Sequence, residues 1–181
     1  LVTVKNANNN TTTNGYDAEG NLISTADPLN NATTYGYDAI GRRSSTIDAR
    51  GKTTTFSYDP NGNLLTVTDP MSGVVTHEYD DNGNRTKTTD ARGKVTMFSY
   101  DANNLLATVI DSAGGVVMNS YDALDNRIFT KDARNNTTNF EYDAERRLTK
   151  VTDPLGNMTR YGYDAQGNRV SVTDPKNKVT T

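Results

Sequence analysis

The side chains with chemistry to offer in this 181-residue chain are one histidine, ten tyrosines and twenty-two acids, and most of them recur at a fixed interval. Tyr-Asp occurs at Tyr16, Tyr37, Tyr58, Tyr79, Tyr100, Tyr121, Tyr142 and Tyr163, always 21 residues apart with no insertion or deletion. The eight aspartates that follow these tyrosines make one ladder. Asp27, Asp48, Asp69, Asp90, Asp111, Asp132, Asp153 and Asp174 make a second. Paired carboxylates suit hydrolysis when their surroundings push two pKa values apart, but a ladder of near-equivalent aspartates singles out no such pair. Asp-x-x-Gly-Asn loops, such as Asp17 to Asn21 and Asp164 to Asn168, suggest calcium. That cation takes about six to eight oxygens, so one aspartate per loop falls short and an Asx turn explains the loop better. His77, the only histidine, occupies a slot that Tyr or Phe fills in other repeats. A ring replacing a ring accounts for it better than a metal or catalytic role. These residues supply no catalytic, cofactor-binding or metal-binding site, and the chain is expected not to be an enzyme and to need no cofactor.

The elements that position these residues follow from the period. A fixed interval of this size means one supersecondary unit copied in tandem, which builds surfaces, shells and fibres more readily than reaction centres. Hydrophobic residues make up 33% of the chain and Trp is absent, so no thick core is expected. Tyr, Val and Thr at fixed positions argue against disorder and for a thin β-layer held by backbone pairing and aromatic contacts. In residues 58–78, Asp59-Pro60-Asn61-Gly62 and Asp69-Pro70-Met71-Ser72-Gly73 read as two turns of one template. Asp accepts backbone N–H bonds, Pro fits the next position, and Gly supplies the positive φ of a type I turn followed by a bulge.

The segments between turns are strands of about six or seven residues. Rings two apart share a face, as at Tyr35/Tyr37, Phe56/Tyr58, Phe98/Tyr100, Phe140/Tyr142 and Tyr161/Tyr163. No stretch carries helical periodicity. Successive tyrosines then lie ~10 Å apart, and the intervening strand must fill each gap. Leu22, Arg43, Leu64, Arg85, Leu106, Arg127, Leu148 and Arg169 stand there, the arginines able to stack on rings while pairing with an Asp. Repeat 37–57 matches repeat 79–99 at 13 of 21 positions but matches its neighbour 58–78 at five, so the duplicated unit is 42 residues. Arg146 replaces the first-turn Gly and predicts strain or a remodelled turn there. Apolar positions fall on both parities, and the pattern does not assign an inner face.

Net charge is −3, too small to steer binding. Arg43, Arg50, Lys52, Arg85, Arg92 and Lys94 suggest a stripe for nucleic acid or acidic glycans, but the adjacent Asp ladders favour salt-bridged scaffolding, and no nucleic-acid partner is expected. A tyrosine-rich face also admits sugars, although these tyrosines stand where packing needs them. No apolar run approaches a membrane span, and residues 1–10 lack signal-peptide architecture. Zero cysteines leaves the compartment open.

The pattern Y-D-x-x-G-N/R-L/R-x-x-x-x-D-P-x-G, over residues 16–181, resembles the YD repeats of bacterial Rhs (rearrangement hot spot) proteins, toxin-complex C subunits, wall-associated proteins and teneurins. Residues 1–15 read as a degenerate partial repeat, with Asn6 in place of the second-turn Asp. The resemblance implies an all-β, continuous curled antiparallel sheet of tandem hairpins, part of a longer array in a secreted bacterial shell. In such toxins the shell encloses a C-terminal toxic domain. This chain contains neither the self-cleaving core motif nor a variable toxic tail, so no toxin activity falls on these residues. The partners implied are neighbouring repeats, further copies, and an enclosed cargo. A cargo-free filament and an adhesive module for glycans or a receptor are the alternatives.

Overall fold

The computed structural model describes residues 1–181 as eighteen strands of one open antiparallel sheet, with no helix long and apolar enough to cross a membrane. Strand limits follow the repeat. Eight six-residue strands end on the Tyr of Tyr-Asp: β2 (Thr11–Tyr16), β4 (Ala32–Tyr37), β6 (Thr53–Tyr58), β8 (Val74–Tyr79), β10 (Val95–Tyr100), β12 (Val116–Tyr121), β14 (Thr137–Tyr142) and β16 (Met158–Tyr163). Eight five-residue strands open on the Leu or Arg: β3 (Leu22–Ala26), β5 (Arg43–Ile47), β7 (Leu64–Thr68), β9 (Arg85–Thr89), β11 (Leu106–Ile110), β13 (Arg127–Lys131), β15 (Leu148–Thr152) and β17 (Arg169–Thr173). β1 (Val2–Lys5) precedes them and β18 (Val179–Thr180) follows. Residues 1–94 form one compact unit and residues 95–181 a second. Within each unit every strand pairs with the next in sequence, as a meander of hairpins requires.

All seventeen connections use one loop. The N–H of the leading residue, Asn6 in the first loop and Asp in the other sixteen, donates to the carbonyl four residues on, and the N–H three residues on donates back to its carbonyl, as in Asp38 with Arg42 and Gly41. The third residue after Asp takes positive φ, with Gly at nine turns and Asn, Ser, Asp or Arg at the others. Arg146 adopts φ 64° there and both loop hydrogen bonds persist, so the turn keeps its form and absorbs the strain. One sequence expectation needs correcting. In Asp69–Gly73 the positive φ falls on Ser72, not Gly73. At Gly73 the Asp69 carboxylate and the Ala91 methyl take up the space in which a Cβ would stand.

No hydrophobic residue is buried, and Gly15 and Asn126 alone are classed as buried. A single layer has nothing to bury against, which is what the low hydrophobic content anticipates. The two faces nevertheless differ. On one face Thr25, Thr33, Tyr35, Thr46, Thr54, Phe56, Val67 and Val75 are each half-buried, whereas the other exposes Thr34, Thr55, Ser57 and Glu78. Within each unit, rings and β-branched side chains cover one face of the backbone.

Each Tyr-Asp hairpin also carries a second irregularity. Gly36 pairs with Ser45 but Tyr37 pairs with Arg43, so Ser44 is an extra residue, and the same shift recurs at Tyr16, Tyr58, Tyr79, Tyr100, Tyr121, Tyr142 and Tyr163. Without that bulge, strict alternation would put Arg43 on the face opposite Thr46. The extra residue returns it to the ring side.

Candidate functional site

The repeated station of loop, ring and cross-strand pair is where nearly all the polar chemistry of this chain sits. Take the loop first. At Asp59, Oδ1 accepts the Asn63 N–H at 2.8 Å and Oδ2 accepts the Asn63 side-chain amide at 2.9 Å. Asp17/Asn21, Asp122/Asn126, Asp153/Asn157 and Asp164/Asn168 repeat this arrangement. The Asn amide is the main influence holding these carboxyls below the usual range, and the loop N–H groups add to it. Both carboxylate oxygens of such a loop are engaged in holding it. No group of three or more His, Asp and Glu converges as metal ligands would.

Two loops put arginine in the Asn slot. Arg42 Nε donates to Asp38 Oδ2 at 2.7 Å, its Nη1 donates to the Asp59 carbonyl at 2.8 Å, and its guanidinium lies 4.8 Å from the Tyr58 ring centroid. Arg147 does the same with Asp143, the Asp164 carbonyl and Tyr163. At Asp143, burial works to raise the carboxyl pKa, but the hydrogen bonds and charge of Arg147 outweigh it and the net direction is down. Each of these arginines ties one repeat to the next through an ion pair, a carbonyl and a ring.

The sequence expectation gave that dual role to Arg43, Arg85, Arg127 and Arg169. Arg43, Arg127 and Arg169 do stack on rings, those of Tyr35, Phe140 and Tyr161, but the Asp pairing belongs to the preceding slot. Arg127 turns to the following strand because the slot before it holds Asn119, which has no ring to offer. The signal for the missed clamps was in the sequence: Arg42 and Arg147 stand where five of the other six repeats have Asn, and a guanidinium has the length and the five donors to reach the next loop while it still pairs with its own Asp.

The tyrosine hydroxyls cross to the strand behind. Tyr37 donates to the Leu22 carbonyl at 2.9 Å, Tyr58 to Arg43 at 2.8 Å, and Tyr79 to Leu64 at 2.9 Å. Tyr121, Tyr142 and Tyr163 bond Leu106, Arg127 and Leu148 in the same way. The β3–β4 ladder ends at Ser24 and Thr34, short of Leu22, so the hydroxyl satisfies a carbonyl that the flared ladder no longer reaches. The spacing gave the gap between successive tyrosines to the Leu/Arg series, and each hydroxyl bonds the backbone carbonyl of that residue on the strand behind.

Across each Tyr-Asp hairpin the facing residues are matched. Phe56, Phe98, Phe140 and Tyr161 oppose Val67, Val109, Val151 and Val172. Asn14, Tyr35, His77 and Asn119 oppose Thr25, Thr46, Thr88 and Thr130. The Asn residues accept a hydrogen bond from their Thr hydroxyls, and His77 Nδ1 lies 3.0 Å from Thr88 Oγ1. Burial, with the Arg85 charge beside it, lowers the His77 pKa. His77 therefore belongs to this series as a neutral ring with a polar partner.

The opposite face is matched too. Glu78 and Glu141 form ion pairs with Lys87 and Lys150, and Ser57 bonds Thr66 at 2.6 Å. Gly15, Gly36 and Gly162 leave room for Ser24, Ser45 and Ser171, whose hydroxyls a Cβ would strike.

The basic residues proposed as a stripe divide between two places. Arg43 is held on the ring face, whereas Arg50, Lys52, Arg92 and Lys94 stand in exposed second-turn loops. The ion pairs Arg42–Asp38, Lys87–Glu78, Arg147–Asp143, Arg147–Glu145 and Lys150–Glu141 do not draw on Arg50, Lys52, Arg92 or Lys94.

Comparison with known proteins gives a family and a set of structural likenesses. The model of the RHS Repeat family matches residues 16–53, 41–70, 58–95, 79–117, 121–157 and 147–179. No curated protein matches. Among solved structures, the Photorhabdus luminescens Tc holotoxin pore, with a point mutation in TccC3, aligns at 15% identity over 91% of this chain, with a TM-score of 0.48. The TcdB2–TccC3 complex without its hypervariable C-terminal region aligns at 17% identity over 95% of this chain, with a TM-score of 0.43. Each alignment takes in 14% of the other chain, so this chain spans a small part of the length of the structures it matches. The family matches overlap into an almost unbroken run from Tyr16 to Lys178's neighbour Val179, the same stretch in which loops, rings and pairs recur, and the chain belongs to the RHS repeat family.

Proposed function

We propose that this structural repeat scaffold forms part of the wall of an extracellular bacterial shell, that it carries out no reaction itself, and that the shell encloses a C-terminal toxin or other cargo. One observation carries the reading. The recurring polar groups are engaged in holding the sheet together: carboxylates in their loops, tyrosine hydroxyls on the strand behind, and, in alternate repeats, arginines on rings, with Arg42 and Arg147 also on loop acids. A wall needs a continuous layer that closes its backbone hydrogen bonds without a second layer, and the loop, the bulge and the tyrosine hydroxyl supply it. The twist of a long antiparallel sheet then turns the layer into a curved surface.

The test uses the intact parent protein in which this segment occurs. Electron microscopy is expected to give closed particles with internal density, and the cargo segment is expected to resist protease until the particle is opened. Open tubes of indefinite length would establish the cargo-free filament instead. Saturable binding of one glycan or receptor by a protein lacking any enclosed volume would establish the adhesive module.

A further inference from the structure

In a meander, consecutive turns lie at opposite ends of the strands, so the ribbon has two rims. The rims share one loop template but differ in what the loops display. In residues 1–94 the four first-turn loops, at 17–21, 38–42, 59–63 and 80–84, carry six carboxylates and one arginine. That arginine, Arg42, is held on Asp38. The four second-turn loops of the Asp ladder, at 27–31, 48–52, 69–73 and 90–94, carry four carboxylates and the four cations Arg50, Lys52, Arg92 and Lys94. Their aspartates turn inward to accept loop N–H groups, as Asp48 does from Arg50 and Lys52, which leaves the cations outermost. Residues 95–181 keep a weaker contrast: the first-turn loops carry six carboxylates and two arginines, Arg146 and Arg147, and the second-turn loops four carboxylates and the three cations Arg134, Lys176 and Lys178.

The second-turn rim also presents apolar tips between its cations. Leu29 is 81% exposed and Met71 85% exposed, with Arg50 at the tip between them and Arg92 at the tip beyond. The first-turn rim has the complementary form. A shallow recess between neighbouring loops is lined by Ile23, Ala39 and Ile40 and bordered by Asp17 and Glu19. Ile40 is itself 73% exposed. Tips recur every ~10 Å on both rims, because each tip spans two strands. A partner able to meet such a row tip by tip must have the same pitch, and a second copy of this chain has it.

We propose that the second-turn rim of one copy docks on the first-turn rim of another, with Met71 seated beside Ile40. Either direction of approach then sets an arginine, Arg50 or Arg92, against Glu19. The contact is heterologous, so it continues from strip to strip instead of closing at a pair. The inference rests on the wall reading, to which it adds the contact between neighbouring strips.

The chain has no cysteine, so single-cysteine variants report cleanly. M71C and I40C chains are mixed at low ionic strength under mild copper-catalysed air oxidation, with circular dichroism checking that each keeps its strand signal. The mixed disulfide is expected at least tenfold faster than either homodimer, and 1 M NaCl is expected to remove the advantage. E19K in the I40C chain should slow it about fivefold, and R50E/R92E in the M71C chain should restore it. A mixed product no faster than the homodimers, or indifference to both salt and charge exchange, overturns the proposal. That failure leaves closed particles of the parent protein untouched, whereas a parent protein without enclosed volume sinks the wall reading and leaves the cross-link result standing.

Discussion

The Tyr79 hydroxyl and the Asp59 carboxylate do different work within neighbouring repeats. The hydroxyl satisfies the Leu64 carbonyl beyond the end of a ladder. Y79F keeps the ring and removes the bond, and urea melts are expected to register a loss of about 1 kcal/mol. A wild-type midpoint would mean that water serves the carbonyl equally well. The carboxylates govern acid behaviour. In the folded chain Asp17, Asp59, Asp80, Asp122, Asp132, Asp153 and Asp164 are all held below the usual range, with the Asn amide as the main cause. Their contribution is complete above the unfolded value of about 3.9 and disappears as pH falls through the lower folded values. Stability should therefore lose only the His77 contribution as pH falls below the ordinary imidazole value of about 6.5, because burial holds that ring neutral in the fold, and should fall steeply below about pH 4, where the many carboxylates titrate. N63L, which copies the residue natural at Leu105, should flatten that fall. The loops and their aspartates were legible in the sequence because one residue type in one turn has one use. The hydroxyl bonds were not, because they depend on a bulge that shortens the ladder and no residue type announces that bulge.

At the scale of the strand pair, the matched residues act as a register device. Slipping one residue would set Phe56 against Thr66 or Thr68 and move every ring to the other face. Matching by type makes a specific expectation for β8 and β9. H77F alone leaves Thr88 with no polar partner, and T88V alone leaves the imidazole with none. The double variant installs the Phe–Val pair used at Phe56/Val67 and Phe98/Val109. Each single change is expected to destabilise, and the double change to recover with a coupling of about 0.5–1 kcal/mol, measured at pH 7.5 so that the imidazole is neutral. Strictly additive losses would show that the pairs do not interact. The strands themselves were legible from period and β-branched content. The pairing by type was not, because it appears only once the residues that face each other are known.

For the molecule as a whole, the absence of a buried apolar core makes stability a sum of local terms. Deletions test this in a way that size alone would predict wrongly. Removing residues 58–99 joins Ser57 to Tyr100, sets Phe56 against Val109 and Ser57 against Thr108, and so preserves every match. Removing only residues 58–78 sets Phe56 against Thr88 and Ser57 against Lys87. The shorter deletion should be the less stable of the two, by about 1 kcal/mol or more, as read by thermal melts followed by circular dichroism. A stability that simply tracks length would contradict the pairing. The 42-residue period was visible in the sequence, and the facing pairs supply its cause: a seam is silent only when it falls between like neighbours. For the gene this has a further meaning. Unequal crossing-over between two copies of the double unit yields a coding sequence whose product is longer or shorter by whole steps and still sound at the joint, so the reach of the sheet is free to drift between lineages without any residue in it having to change.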